Sequence, residues 1–301
     1  MLKYNVVKEI HYKVGSMKIG GFCCGAKDNK SNITLCLHGW LDNAASFSPL
    51  FPYLQHNLTN KHIIAIDWLG HGSSSHKSID AHYHFIDWVY DLMQLFEIQQ
   101  WKQVDIIAHS MGGMVASAFS AAFPERVKSL TLIDTIGFLN EEADQTTKQL
   151  RKGILSRLKS TKFNRKKGIS KKKFHLNIES AVKARINVSD LQYEHAKLIV
   201  ERGLIKIDEG YYWCSDEKLR NISPYRLTLS QAEQLIKDIK CPVQLIYGDK
   251  GMEKVISGIK TFGSLIENFS SHKLKGGHHV HMEHPEQTVE LIKSHINQTE
   301  K

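Results

Sequence analysis

Apolar residues follow two patterns along this chain, short continuous runs and recurrence at helical spacing, and together these patterns predict short strands separated by helices. Between the apolar runs, apolar residues recur at helical spacing, most clearly over 83–98, where Phe85, Val89 and Leu92 share one side. Strands alternating with helices indicate right-handed crossovers and a mostly parallel central sheet flanked by helices, the α/β class. The runs typical of strands buried on both faces are 33–37, 63–66, 104–108, 127–133, 241–247 and 271–274.

Two stretches depart from this alternation of strands and helices. Near the N-terminus, residues 6–14 and 17–24 flank Gly15-Ser16, which predicts a hairpin. Between 137 and 230 the chain is polar, basic and helical in pattern, with an aromatic cluster at 211–213. We interpret 137–230 as a helical cap, or lid, over the C-terminal edge of the sheet, inserted between core segments 1–136 and 231–301.

Composition is that of an ordinary globular protein, with 301 residues, 42% hydrophobic and 24% charged. No apolar run approaches the ~20 residues of a membrane span. The first residues alternate charged and apolar side chains, which favours a strand over a secretory signal. The five cysteines lack metal-type spacing, so we expect reduced thiols and a cytoplasmic protein.

The net charge of +9 is unevenly distributed, because basic residues crowd the stretch from Lys148 to Lys173 and no acidic residue lies between Asp144 and Glu179. The plain interpretation is a solvated, partly mobile face. The alternative is attraction to an anionic substrate or peripheral contact with an acidic membrane surface. Nucleic acid is not an expected partner, since aromatic residues are sparse in the run and no nucleic-acid motif accompanies it.

The stretch 104–122 carries the strongest chemical signal. A buried strand meets a helix of small and apolar residues at a tight turn with Ser110 at its apex, flanked by Ala108 and Gly112. This arrangement is typical of a nucleophile elbow, whose crowded turn needs small neighbours. Backbone N–H groups at the start of such a helix stabilise a developing anion. The alternative is a chance serine in a strand–helix turn.

Five motifs follow one another along the chain: HGW at 38–40, DxxGHGxS at 67–74, AHSMGG at 108–113, ERVKSLTLID at 125–134 and GGHHVHMEHP at 276–285. Together they give the chain a resemblance to the α/β-hydrolase superfamily over everything except the cap. Within it, the segments CLHGWLDNAASF and GGHH are similar to those of the serine hydrolase-like proteins. The resemblance implies the α/β-hydrolase fold, with a nucleophile, a histidine base, an acid and an oxyanion hole.

The resemblance assigns the nucleophile to Ser110 and the base to His278, which directly follows two glycines and stands five residues before Glu283. His279 is the alternative base. His279, His281 and His284 otherwise read as supporting or helix-end residues. Metal binding by this histidine cluster is the other alternative. No carboxylate or cysteine pattern completes such a site, so neither a metal nor another cofactor is expected.

Two aspartates are candidates for the acid that supports the histidine base. In most of the superfamily it stands three residues beyond a glycine that ends the strand matching 243–247, but here that glycine resembles Gly248 and the expected position holds Gly251. Some relatives place the acid just after the strand that follows the elbow helix, where this chain has Asp134. We favour Asp134 and keep Asp249, one residue past the glycine, as the alternative.

The oxyanion hole implied by the resemblance consists of two backbone N–H groups, from Met111 directly after the nucleophile and from Trp40 after His38-Gly39. Gly39 allows the backbone to approach and His38 is expected to fix the loop.

A serine at the elbow, where epoxide hydrolases and dehalogenases of the superfamily use aspartate, indicates acyl transfer. The expected activity is hydrolysis of a small to medium carboxylic ester or thioester, of the carboxylesterase type. Two alternatives remain. One is a non-catalytic or weakly catalytic small-molecule receptor of the same fold. The other is cofactor-free oxygen or C–C bond chemistry on the same residues.

Overall fold

Eight strands form one sheet in the computed structural model, which describes residues 7–26, 32–167 and 174–299. Across the sheet the order is β1-β2-β4-β3-β5-β6-β9-β10, and β7 and β8 form a separate two-stranded hairpin. The strands are β1 (Lys8–Val14), β2 (Met17–Gly25), β3 (Ile33–Leu37), β4 (His62–Ile66), β5 (Val104–His109), β6 (Val127–Ile133), β7 (Leu204–Ile207), β8 (Gly210–Trp213), β9 (Val243–Gly248) and β10 (Phe269–Leu274).

Parallel pairing runs from β4 through β3, β5, β6 and β9 to β10, whereas β1 and β2 pair antiparallel at one edge. Every residue of β3 and β5 is buried, which explains why both segments are continuous apolar runs in the sequence. The α/β class with a mostly parallel sheet is therefore confirmed.

Helices cover both faces of the sheet and create two apolar layers. One layer packs α2, α3, α7 and α8 against the sheet, and the other packs α1, α9 and α10. The helices are α1 (Phe51–Asn57), α2 (Phe85–Gln99), α3 (Met111–Ala122), α4 (Thr146–Lys167), α5 (Ile178–Ile186), α6 (Tyr193–Gly203), α7 (Leu229–Lys237), α8 (Glu253–Phe262), α9 (Val280–Glu283) and α10 (Pro285–Thr299). Within the described ranges, no helix combines the length and the apolarity needed to cross a membrane.

The segment 137–230, called here the predicted cap, contributes no strand to the main sheet among its described residues. It contains α4, α5, α6 and the hairpin β7–β8. Helices α5 and α6 form a small apolar cluster that also takes in Met282 of α9. The cap boundaries at 136/137 and 230/231 stay a prediction.

One predicted helix starts differently from expectation. The apolar pattern from residue 47 predicts a helix there, but Ala44–Leu50 forms a 3₁₀ turn that contains Pro49, and α1 begins at Phe51. A second proline, Pro52, lies in the first turn of α1. Proline lacks the N–H that continues an α-helix and fits only its first turn, so two prolines three residues apart delay the regular helix.

Candidate active site

Ser110 lies at the point where β5 turns into α3, in an uncommon backbone conformation with φ 52° and ψ −120°. Its N–H donates to the Ile133 carbonyl of β6 at 3.1 Å, and its carbonyl accepts from Gly113 N–H at 2.9 Å. A Cβ added at Gly112 would lie 2.4 Å from the Leu37 carbonyl oxygen. The turn can therefore approach the end of β3 only with glycine at 112, which is the crowding that the sequence pattern indicates.

Three predicted residues meet at the C-terminal edge of the sheet. His278 Nε2 lies 3.0 Å from Ser110 Oγ, and His278 Nδ1 lies 2.6 Å from Asp134 Oδ2. The Asp134 side chain is fully buried, whereas that of His278 is 23% exposed. A continuous hydrogen-bond chain thus runs from a buried carboxylate through an imidazole to a serine hydroxyl.

The two candidate acids have different surroundings. Asp134 follows β6 with φ 47°, and its carboxylate also accepts from the N–H groups of Gly248 at 3.2 Å and Met252 at 3.1 Å. The carboxylate of Asp249 instead accepts from Gly276 N–H at 2.9 Å, which ties the end of β9 to the loop after β10. Only the carboxylate of Asp134, of these two, contacts the imidazole of His278 within the described structure.

Gly251 explains how Asp134 fits. A Cβ at residue 251 would lie 2.2 Å from Asp134 Oδ1 and 2.7 Å from its Cγ. Residue 251 is where most of the superfamily carries its acid, and a side chain there would enter the space that the Asp134 carboxylate fills. The two acid positions exclude each other sterically.

The peptide groups of His278 are held on both sides. Its carbonyl oxygen lies 3.0 Å from His109 Nε2, and because a carbonyl only accepts, that nitrogen carries the ring hydrogen. Its N–H donates to the carboxylate of Asp190, a residue between α5 and α6. Sequence reasoning missed both partners. His109 stands beside Ser110 in the elbow motif, whereas Asp190 is 88 residues from His278 and gave no signal.

His279 sits in a buried ion-pair network. Its Nδ1 lies 2.8 Å from Asp190 Oδ1 and its Nε2 lies 3.2 Å from Asp42 Oδ2. Arg185 Nη2 lies 2.5 Å from Asp42 Oδ1. Burial alone would lower the pKa of His279, but the charge of Asp42 and the hydrogen bonds to both carboxylates outweigh it and raise the pKa to about 9. The imidazolium form of His279 therefore dominates at neutral pH.

The pKa values of Asp42 and His109, which surround His279, are lowered instead. Burial opposes ionisation of Asp42, yet the charge of His279, its hydrogen bond to His279 and the charge of Arg185 hold its pKa well below the usual range. Burial and the neighbouring His278 and His279 lower the pKa of His109 to about 4 against the pull of Asp42. At neutral pH the network thus consists of ionised aspartates, a charged His279 and a neutral His109.

Asp42, His109 and His279 are the described residues that could hold a metal ion, with donor atoms within 4.8 Å of one another. Sequence reasoning missed the carboxylate because Asp42 lies far from the histidines in the chain. Arg185 already contacts the carboxylate of Asp42, however, and Asp190 already contacts the ring of His279. The donor set therefore favours an ion-pair network over a cation.

His281 and His284 lie outside this network of hydrogen bonds. The ring of His281 is fully buried, 5.5 Å from that of Phe47 and 4.6 Å from that of His109 between centroids. Burial, then the nearby His109 and His279, lower its pKa well below the usual value. His284 ends α9, and its carbonyl accepts from Thr288 N–H in α10.

The loop after β3 lies against the serine. A Cβ at Gly39 would come within 3.1 Å of Ser110 Cβ. His38 Nε2 accepts from Trp68 N–H at 3.0 Å, so its Nδ1–H donates to the Gly39 carbonyl at 2.7 Å. The Trp40 indole donates to the Leu219 carbonyl at 3.1 Å. This part of the chain therefore brings the backbone at Gly39 alongside Ser110, the residue directly before α3.

Comparisons with known proteins agree with this architecture. The profile of a family described as alpha/beta hydrolase fold matches residues 34–285. A serine hydrolase-like protein of Danio rerio is 31% identical over 266 residues, which cover 86% of this chain and 79% of that protein.

Two solved structures have the same fold. One, a hypothetical protein from Pseudomonas aeruginosa PAO1, gives a TM-score of 0.85 at 32% identity, covering 96% of this chain and 99% of that one. The other, a thioesterase domain from the curacin biosynthetic pathway, gives a TM-score of 0.81 at 20% identity, covering 96% and 100%. At 20% identity the second likeness shows the fold alone.

Proposed function

The chain belongs to the α/β-hydrolase fold family, and on that premise we propose that it is a serine hydrolase acting through Ser110, His278 and Asp134 on a carboxylic ester or thioester. The observation that carries the proposal is the hydrogen-bond chain of 3.0 Å from Ser110 to His278 and 2.6 Å from His278 to Asp134. Both distances lie within the range for proton transfer in a nucleophile–base–acid set.

In this mechanism Ser110 Oγ attacks the acyl carbon while His278 Nε2 takes its proton. The resulting tetrahedral oxyanion accepts hydrogen bonds from the N–H groups of Met111 and Trp40. His278 then gives the proton to the leaving alcohol or thiol, which departs and leaves an acyl group on Ser110. Water attacks this acyl-enzyme with His278 again as base, and the carboxylic acid leaves as Ser110 regains its hydrogen.

Asp134 supports the base in two ways. It accepts the Nδ1 hydrogen of His278, so the Nε2 lone pair faces Ser110, and its negative charge stabilises the imidazolium formed during attack. Its other contacts come from backbone N–H groups, which hold the carboxylate in one orientation. The oxyanion donors need no metal, and no step above requires a cofactor.

The substrate class follows from the nucleophile and from the relatives. A neutral serine activated by an imidazole is suited to acyl carbons with good leaving groups, such as esters and thioesters. The name of the zebrafish relative, serine hydrolase-like protein, agrees with a serine nucleophile. The acyl and leaving groups are best defined by a panel of p-nitrophenyl esters and acyl thioesters of graded chain length.

The decisive experiment compares wild type with Ser110→Ala. We expect labelling by a fluorophosphonate probe and ester turnover in wild type, and a loss of roughly 10³-fold or more in kcat for the variant. Ser117→Ala is the matched control, because Ser117 is a second buried serine of α3. Ligand binding without turnover in wild type would instead favour the receptor alternative, and turnover that survives Ser110→Ala would refute the nucleophile.

A further inference from the structure

Helix α4 packs on the rest of the protein through small and polar residues. A Cβ at Gly153 would lie 2.3 Å from Pro224 Cα, so the helix backbone touches that proline directly. Gln149 Nε2 donates to the Ser223 carbonyl at 2.5 Å, and Ser156 Oγ accepts from Ile222 N–H at 3.1 Å. Residues 149, 153 and 156 follow one another at helical spacing and define the packed side.

The apolar residues of α4 face away from that side. Leu150, Ile154 and Leu158 recur every four residues, so they form a row along the helix, and they are 51%, 42% and 49% exposed. Leu155, 52% exposed, stands next to the row. A surface helix normally buries its apolar stripe and exposes its polar side. In α4 the order is reversed, and a continuous row of aliphatic side chains meets solvent.

Basic residues complete the outward surface. Lys148, Arg151, Lys152 and Lys159 are exposed, and at about 100° per residue they fall between the apolar row and the packed side. The described helix side chains include no acid after Asp144, and the sequence has none before Glu179. The side chains of the remaining basic run, 161–173, lie outside the described residues.

We propose that residues 148–159 of α4 form a docking surface for a membrane leaflet rich in anionic lipid. The leucine–isoleucine row would enter the boundary between headgroups and acyl chains, while the flanking cations lie at the level of the phosphates. This occupant matches both halves of the surface, apolar and positive. A second copy of the chain would bring two rows of cations together, and the resulting repulsion disfavours self-association.

One segment connects the packed side of α4 to the candidate active site. Residues 222–224 contact α4, and Leu219 just before them accepts the hydrogen bond from the Trp40 indole. Because residues 222–224 contact the packed side of α4, the docking row lies on the other side of the helix from the segment that leads to Trp40. Membrane docking does not depend on the hydrolase proposal, and it is tested without a substrate.

The test is co-sedimentation of the full chain with vesicles of phosphatidylcholine alone or with 30% phosphatidylserine, a composition on the order of that of anionic leaflets. We expect binding to the anionic vesicles that weakens as salt is raised. Leu150→Ser/Leu158→Ser should weaken this binding at least tenfold. Arg151→Gln/Lys152→Gln/Lys159→Gln should weaken it by about a hundredfold, since each cation near such a surface contributes on the order of one kilocalorie per mole.

Matched controls change the same chemistry elsewhere. Ile98→Ser/Ile256→Ser removes two aliphatic side chains of similar exposure from α2 and α8. Lys237→Gln/Lys240→Gln/Lys254→Gln removes the same net charge from exposed positions of the segment 231–301, outside the predicted cap. Both controls should bind like wild type, with circular dichroism confirming the fold of every variant.

The proposal is overturned if wild type fails to sediment with anionic vesicles, or if controls and α4 variants weaken equally. It is also overturned if size-exclusion chromatography shows a dimer that Leu150→Ser/Leu158→Ser dissociates, because the row would then be an interface between copies. Selective loss in the two α4 variants, from a monomer, supports it.

Discussion

A carboxylate can reach His278 from two places in this fold, and the two places compete for one volume. The Asp134 carboxylate fills the space into which a side chain at 251 would project, at 2.2 Å from a Cβ there. The backbone φ of Gly251 is not positive, so the backbone conformation there would accept a larger residue. A side chain at 251 is instead excluded by the neighbouring carboxylate of Asp134. Removing Asp134 should therefore open room for an acid at 251.

This exchange gives a residue-scale prediction. Asp134→Ala should lower kcat/KM for an ester by ~10³ to 10⁴-fold, because His278 loses the partner that orients it. Gly251→Asp alone should be destabilised by the clash with Asp134. The double variant Asp134→Ala/Gly251→Asp should regain at least about tenfold of the lost kcat/KM. Steady-state kinetics on one p-nitrophenyl ester, with urea unfolding to report stability, measures all three.

Asp249→Asn is the control, because Asp249 holds the Gly276 N–H and not the imidazole. We expect its kcat to stay within about threefold of wild type. If Asp249→Asn lost its kcat while Asp134→Ala kept it, the acid would be Asp249, and the predicted exchange between positions 134 and 251 would be wrong.

The residues that sequence reasoning found are those that lie in compact motifs. The turn pattern around Ser110, with Gly112 two residues on, located the nucleophile, and the family resemblance located His278, directly after Gly276-Gly277. The sequence left Asp134 and Asp249 open, because the choice depends on which carboxylate points to an imidazole in space. Asp190 has no motif at all, since its partners, the N–H of His278 and the ring of His279, come from a distant loop.

At the scale of elements, several ion pairs join the predicted cap to the core. Arg185 of α5 reaches Asp42, Arg202 of α6 reaches Asp67 at 2.7 Å, and Asp190 between these helices reaches the loop after β10. Asp67 and Asp42 belong to loops that follow strands of the main sheet. These ion pairs couple the position of α5 and α6 to the loop that carries His278.

Protonation of His279 should therefore make stability depend on pH. Its pKa in the folded protein is raised to about 9, against about 6.5 in an unfolded chain. The interaction is fully present below pH 6.5 and is lost as pH rises through 9, so the free energy of unfolding should fall across this window. The loss should be on the order of 1–3 kcal/mol, measured by urea unfolding between pH 6.5 and 8.5.

Comparison with His279→Gln isolates this effect. Burial raises the pKa of the Cys24 and Cys241 thiols to about 12, and these groups also reduce stability at high pH, but they titrate alike in both proteins. The buried His109 and His281, whose pKa values are lowered, change stability only at and below about pH 6.5. A wild-type slope that persists unchanged in His279→Gln would contradict the assignment.

Secondary structure was predictable where burial leaves a regular pattern. Strands β3 and β5 are buried on both faces and read as continuous apolar runs. The hairpin β7–β8 was missed, because its strands are four residues long and mostly half-buried, so they lack clear alternation. Helix α4 was not delimited either, since its apolar row faces outward while its packed side is small and polar.

At the scale of the whole molecule, the comparisons confirm the fold class and the family resemblance, which rested on five ordered motifs. Ordered motifs at the ends of successive strands constrain the topology strongly, because the carboxyl ends of parallel strands meet at one edge. Charge distribution is not constrained in this way. The net charge of +9 and its concentration in the predicted cap therefore bear on partners and substrates and not on the fold.

This charge leads to a last prediction, about substrate selection. The basic residues of the predicted cap should attract an ester whose acyl or leaving group is anionic, and the attraction should be screened as the Debye length shrinks from about 10 Å at 0.1 M salt to about 3 Å at 1 M. The kcat/KM for a monoanionic ester should then fall several-fold across this range, through KM, while that for a neutral ester of equal length changes little. Arg151→Gln/Lys152→Gln/Lys159→Gln should flatten the dependence for the anionic ester, and the core triple Lys237→Gln/Lys240→Gln/Lys254→Gln should leave most of it. Equal salt dependence for both esters in wild type would show that the cap cations do not select the substrate, and their role would then be confined to the outer face of α4.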